Sequence, residues 1–177
     1  LYQHADPGYD RVVTVPVLYD KHSQRIVNNE SADIIRMLNS AFDQWGNAEI
    51  DFYPPSLRAE IDRINSFIYD HINNGVYTTG FATTQEAYEQ ALDELFSALD
   101  YLEVILSKQR YLLGDSICEA DWRLFPTLLR FDPVYVGHFK CNLKRLIETS
   151  PTVDDDQMLW LQEGLIASHR DPTVRGR

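Results

Sequence analysis

The chain has 177 residues, 16 of them basic and 27 acidic, for a formal net charge of −11, and 44% of its residues are apolar. That apolar share suits a protein with a buried core, and the length fits one large domain or one domain plus part of another. The acidic balance repels phosphate backbones and anionic lipid, which excludes nucleic acid and membrane surfaces as expected partners. No apolar run approaches the ~20 residues of a bilayer span, and no signal peptide is visible. Cys118 and Cys141 are too few for a disulfide scaffold, so the expected setting is a reducing compartment, cytoplasmic or organellar. The first residue is Leu rather than Met, consistent with a processed or truncated start.

In chain order, residues 12–18 (VVTVPVL) are almost continuously apolar and β-branched, the pattern of a strand covered on both faces. Pro16 within it removes a ladder donor, so the strand is an edge, a bulge or a cis-proline site. Residues 19–24 form a polar turn and residues 25–27 open a second strand. That strand runs into Asn28, Asn29, Glu30 and Ser31 and then a helix with Ile34, Ile35, Leu38, Ala41 and Phe42 at helical spacing and Gly46 as its stop. Paired amides, an acid and a hydroxyl at a helix start have two readings. Ser31 or Asn29 caps the helix, or the free N–H groups and dipole of the helix end hold a ligand.

Pro54-Pro55 marks the boundary, and everything beyond it is helical in pattern. Leu57, Ile61, Ile64, Phe67, Ile68 and Ile72 stripe a helix over 56–73 that Asn73-Asn74-Gly75 closes. Thr84 or Thr83 caps a longer helix over 84–108 carrying Ala87, Ala91, Leu95, Leu99, Leu102 and Leu106. Residues 119–131, with Trp122, Leu124, Phe125, Leu128, Leu129 and Phe131, are apolar nearly all round and predict a buried central helix bent by Pro126. A shorter helix is predicted over 138–148, and the tail holds an amphipathic segment, MLWLQEGLIASH, before a disordered end. The predicted organisation is a strand–strand–helix unit over 1–46, a linker over 47–55, an all-helical domain over 56–148 and a tail over 149–177.

The first unit is physically incomplete by this reading. Two strands and one helix cannot cover both faces of a segment as apolar as VVTVPVL, so residues outside the chain or a partner must supply the rest.

Strand, proline, strand and an acid-hydroxyl pair opening a helix resemble the second half of a thioredoxin-like domain. With the helical domain after it, the chain resembles a glutathione transferase. The stretches VTVPVLYD, IVNNESADIIRMLN, YDHINNGVYTTGFATTQEAYE and RYLLGDSICEADWRLFPTLLRFDPVYVGHFKCN narrow the resemblance, over roughly residues 1–147, to the glutathionyl-hydroquinone reductases, the xi-class glutathione transferases. The fold class expected is therefore α+β and mostly helical, half of a thioredoxin-like domain followed by an all-α glutathione-transferase C-terminal domain.

The resemblance implies glutathione as substrate. It implies that Val15, preceding Pro16, pairs its backbone with the cysteinyl backbone of glutathione, and that Glu30 and Ser31 hold the γ-glutamyl end. It implies that Tyr77 lines the hydroquinone pocket and donates to a substrate oxygen. Several positions depart from the family pattern. Its nucleophile, a Cys in a Cys-Pro-Trp-Ala stretch, would lie upstream of Leu1. The arginine expected four residues before Pro16 is Val12, with Arg11 one residue off. Tyr19 replaces a tryptophan, and Cys118 replaces the threonine cap before Glu119, with Ser116 as an alternative cap. The C-terminal region that supplies a second substrate tyrosine gives way to an unrelated tail after about residue 148.

Each residue also has a plainer reading. Glu30 and Ser31 cap a helix; Tyr77 packs at a helix end; Asp121 is a folding cap. Cys118 starts a helix, as a replacement nucleophile would, but has no adjacent base in sequence and packs instead. Cys141 is a small buried residue, and its spacing from His138 lacks the further ligands a metal needs. Two functions are thus expected to compete: a truncated or degenerate glutathione-dependent reductase lacking the nucleophilic Cys, and an inert glutathione-transferase-like structural or assembly subunit. A glutathione-binding sensor lies between them. A homodimer or protein partner is expected, and a small-molecule thiol is the expected ligand.

Overall fold

The computed structural model describes residues 1–146. The chain divides into two compact units, Leu1–Pro54 and Pro55–Arg177. The last two residues of the helix predicted over 138–148, and the whole predicted tail, lie outside the described residues.

Unit 1 opens with a short helix α1 (Tyr2–Ala5) and an extended segment, followed by β1 (Leu18–Asp20) and β2 (Arg25–Asn28). The two strands pair antiparallel, with Tyr19 opposite Ile26 and Asp20 opposite Arg25. Asp20 shapes the connecting turn by accepting the backbone N–H groups of His22 and Ser23 at 2.8 and 3.3 Å. Gln24 closes it in the left-handed region, at φ 56°. The Ser23 hydroxyl, and then those backbone donors, hold the Asp20 carboxyl below its ordinary value. Helix α2 (Ser31–Ser40) comes next, then a 3₁₀ turn over Asp43–Trp45.

The predicted strand over 12–18 is not a covered strand. Only Leu18 enters the sheet, while Val12, Val13 and Val15 are 82%, 65% and 89% exposed. A strand needs edge partners and facing layers that are remote in sequence. Among the described residues no strand pairs with residues 12–17. Helix α2 also ends earlier than Gly46 suggests, at Ser40, and of its apolar stripe Ile34 is buried while Leu38 and Phe42 stay exposed. Segment 47–53 is instead pinned to α2 by side chains. Asn39 donates to Asp51 at 2.8 Å and accepts the Phe52 N–H at 2.9 Å, and the Arg36 guanidinium lies 4.0 Å from the centre of the Tyr53 ring.

Among the described residues, the named elements of unit 2 are all helical. They are α3 (Arg58–Ile68), a π-helical turn (Tyr69–Asn73), α4 (Gly75–Gly80), α5 (Gln85–Leu106), α6 (Glu119–Arg130), a second π-helical turn (Phe131–Tyr135) and a single turn α7 (Val136–His138). The core joins Ile61, Ile64, Ile68, Ile72 and Val76 to Leu95, Phe96, Leu99 and Leu102, with Leu124 and Phe131 against them. Thr84 caps α5 as predicted, its hydroxyl accepting the Ala87 N–H at 3.2 Å. Ala87 itself is exposed, so the buried stripe of α5 starts at Ala91.

Three predicted features are corrected in this unit. Asn73-Asn74-Gly75 does not close a helix: Asn74 keeps helical dihedrals, φ −84° and ψ −30°, and the chain continues into α4 with Gly75 packed against Leu95. Helix α6 is not buried all round. Trp122 and Leu129 are exposed, and its buried side carries Glu119, Ala120, Leu124 and Thr127. That side is partly polar because α3 and the first π turn supply matching amides. Asn65 donates to Glu119 at 2.9 Å and Asn73 donates to Thr127 at 2.6 Å. The helix predicted from 138 stops at once, since Lys140 turns left-handed at φ 57° and the Cys141 N–H bonds back to Tyr135 at 3.0 Å.

Candidate functional site

In unit 1 the residues in question meet at the end of β2. Glu30, not Ser31 or Asn29, is the residue that caps α2, its carboxylate accepting the Ala32 N–H at 3.3 Å. The Ser31 hydroxyl donates to the same carboxylate at 3.4 Å. Asn28 braces the corner, accepting the Glu30 N–H at 2.7 Å and donating to Asp33 at 3.1 Å. Both Glu30 and Ser31 remain exposed. A carboxylate, a hydroxyl and the donor end of a helix therefore stand open on one surface, a set suited to an ammonium and a carboxylate on one ligand.

The Val15–Pro16 peptide is cis, one of the alternatives the sequence allowed. Its neighbour Thr14 is tied to the same corner. Asn29 donates to the Thr14 hydroxyl at 3.1 Å and to the Tyr2 hydroxyl at 3.1 Å, and Tyr2 donates to the Thr14 carbonyl at 3.0 Å. The structure thus ties Thr14, next to Val15 and Pro16 in the chain, to Asn29, next to Glu30 and Ser31. Sequence reasoning missed Tyr2 and Thr14, which lie 27 and 15 residues from Asn29 and carry no local pattern pointing to it.

In unit 2, Tyr77 stands in an aromatic cluster with Phe81, Tyr135 and Phe139. Its ring meets Tyr135 edge-on at 5.8 Å and Phe139 at 5.2 Å, and lies nearly parallel to Phe81 at 6.4 Å. Its hydroxyl is 3.3 Å from that of Tyr135. Tyr77 is 42% exposed and Tyr135 only 3%. Gly80 is required for this packing, because a Cβ there would sit 2.2 Å from Phe139 Cδ1. Burial raises the Tyr135 phenol above its ordinary value, and the bond to Tyr77 adds to the rise. The sequence did not single out Tyr135. Its signal is a tyrosine in an otherwise apolar run, whose hydroxyl needs a partner once buried.

Both cysteines are buried, with their thiols held toward the protonated form. Burial, then the Asp121 carboxylate, pushes the Cys118 thiol up to about 12, and burial pushes Cys141 up to about 11. Asp121 has the capping role: its carboxylate accepts the N–H groups of Cys118 and Leu112, each at 2.9 Å, and the Cys118 thiol at 3.2 Å. Among the described residues no group of three His, Cys, Asp or Glu side chains comes together as a metal site.

A small sheet ending on an acid-hydroxyl corner, followed in the chain by a mostly helical unit, is the element order of a glutathione transferase fold. Residues 85–156 match the family described as the glutathione S-transferase C-terminal domain, and the chain carries that domain. It is 57% identical over 148 residues to the glutathionyl-hydroquinone reductase PcpF of Sphingobium chlorophenolicum, covering 84% of this chain and 47% of that protein. Among solved structures, it superposes on the xi glutathione transferase of Phanerochaete chrysosporium with a TM-score of 0.85 and 52% identity, covering 92% of this chain and 55% of that one. The glutathione-bound structure of YqjG from Escherichia coli K-12 matches with a TM-score of 0.82 and 51% identity, covering 97% of this chain and 53% of that one. The chain spans about half the length of the curated relatives it matches. Among the described residues no helix is long and apolar enough to cross a membrane.

Proposed function

We propose that this chain is a glutathione-transferase-like protein of the glutathionyl-hydroquinone reductase type, with glutathione as its ligand. The Val15 backbone, presented by the cis bond to Pro16, pairs with the cysteinyl backbone. Glu30 takes the α-ammonium of the γ-glutamyl end, while Ser31 and the N–H groups of α2 take its carboxylate. Tyr77 lines the site of the hydroquinone ring. In the reaction of that type a thiolate attacks the conjugate sulfur, the carbon–sulfur bond breaks and the ring carbon takes a proton. A second glutathione then reduces the mixed disulfide and leaves as glutathione disulfide. Both thiols of this chain are buried and raised above their ordinary value, so the residues present support binding rather than the attack itself. Two free cysteines are consistent with a reducing compartment.

The observation that carries this reading is the Asn29–Thr14–Tyr2 stitch, which joins the two halves of the glutathione corner. Retention on immobilised glutathione tests it. The wild type is expected to be retained and eluted by free glutathione, and Glu30→Ala to pass through; equal passage of both overturns the assignment.

A second reading, an inert assembly subunit, draws on the exposure of Val12, Val13, Val15 and Trp45 in unit 1. On that reading the chain occurs with a second copy or a protein partner. A monodisperse monomer in light scattering would count against it.

A further inference from the structure

We propose that Tyr135 is a positioning residue for Tyr77: its buried hydroxyl donates to the Tyr77 oxygen, which leaves the Tyr77 proton directed outward at a phenolic oxygen of an aromatic ligand. The inference rests on the hydroquinone reading and adds to it the residue that sets the donor direction. Either hydroxyl of the pair, 3.3 Å apart, could donate on geometry alone. Their surroundings break the tie. Tyr135 is 3% exposed, and among the described residues its hydroxyl is hydrogen-bonded to Tyr77, so its proton has no better acceptor. Tyr77, 42% exposed, has open space for its own proton.

Arg130 strengthens the argument. Its positive charge opposes in part the rise that burial causes at the Tyr135 phenol, which favours that hydroxyl as the donor of the pair. The polarity therefore runs Tyr135 to Tyr77 to ligand, and the accepted bond makes the Tyr77 hydroxyl a better donor. Phe139, edge-on to both tyrosines at 5.2 and 5.4 Å, holds the pair in register. Phe81 stacks parallel to Tyr77 at a spacing of 6.4 Å and extends the aromatic surface beside the outward hydroxyl. The ligand class this favours is an aromatic ring bearing a hydroxyl, over the same ring without one.

The test compares S-(4-hydroxyphenyl)glutathione with S-phenylglutathione by calorimetry on the full chain. The wild type is expected to prefer the hydroxylated conjugate. Tyr135→Phe is expected to weaken that ligand roughly three- to tenfold, the worth of one hydrogen bond, and to leave S-phenylglutathione unchanged. Tyr77→Phe should remove the preference, and adding Tyr135→Phe to it should cost nothing further, because the two hydroxyls act in series. S-phenylglutathione reports the integrity of each variant. A Tyr135→Phe loss that is equal for both ligands, or that adds fully to the Tyr77→Phe loss, overturns the proposal. A wild type that binds both conjugates alike overturns it while leaving the glutathione assignment standing. A wild type that binds neither conjugate removes both.

Discussion

Both units carry apolar patterns and treat them differently. In unit 2, Ile61, Ile68, Ile72, Val76 and Leu95 are all 0% exposed, whereas in unit 1 Val12 and Val15 are 82% and 89% exposed. A helical stripe needs only another helix, and α3 to α6 supply one another within a continuous stretch of chain. A strand needs neighbours on its edges and layers on its faces, and these are remote by construction. The difference shows that apolar content alone does not say where burial is achieved. The unit proposed to grip glutathione is the one with less core of its own.

Three experiments press on that contrast. Ile68→Ala should produce the largest effect, about 2–5 kcal/mol of lost stability in urea unfolding, because it opens a cavity where the side chain is wholly enclosed. A loss below about 1 kcal/mol would mean that unit 2 is less tightly packed than its exposures imply.

The thiols give the next effect. Cys118 and Cys141 ionise near 9.0 in the unfolded chain but are raised to about 12 and about 11 in the fold, so the folded state holds their protons longer. Their contribution is therefore complete below pH 9 and is lost as pH rises from there through the folded values, by about 1 kcal/mol per thiol at pH 10. Relative to a Cys118→Ala, Cys141→Ala double variant, the wild type should lose stability more steeply between pH 8 and about pH 10. Parallel slopes would mean that the core of unit 2 admits solvent.

Val15→Ala should have the smallest effect, under about 0.5 kcal/mol, since the side chain is almost wholly exposed and its proposed backbone role would be retained. A cost approaching that of Ile68→Ala would show that another copy or partner covers this segment in solution, and the contrast between the units would then belong to the isolated chain alone.

Legibility in the amino-acid sequence divides along the same line. The stripes of α3 and α5 and the Thr84 cap were legible because they depend on neighbours three or four residues away. The Glu30–Ser31 corner was legible as a helix start. Its exact cap was not, since Asn29, Glu30 and Ser31 all carry a side-chain oxygen within reach of the first turn. Asn29 instead turned to Thr14 and Tyr2, a choice made by contacts far along the chain. Asn73-Asn74-Gly75 looked like a stop because amide and glycine residues often end helices. Here Gly75 serves close packing against Leu95, a tertiary demand no local rule contains. Trp122 and Leu129 looked like core on hydrophobicity, and the polar amides of Asn65 and Asn73 decided which side of α6 turned inward.

The two π-helical turns, Tyr69–Asn73 and Phe131–Tyr135, set the rotational phase of the chain beyond them. A π turn carries one more residue per loop than an α turn, so it rotates the downstream chain by about 100° relative to an uninterrupted helix. The first precedes Tyr77 and the second ends at Tyr135, so the meeting of the two hydroxyls depends on both angular offsets. Deleting one residue from Tyr69–Asn73 would keep a continuous helix and its composition, yet swing Tyr77 by that angle and part the pair. The alignment of these tyrosines is thus encoded in residue count as much as in residue identity.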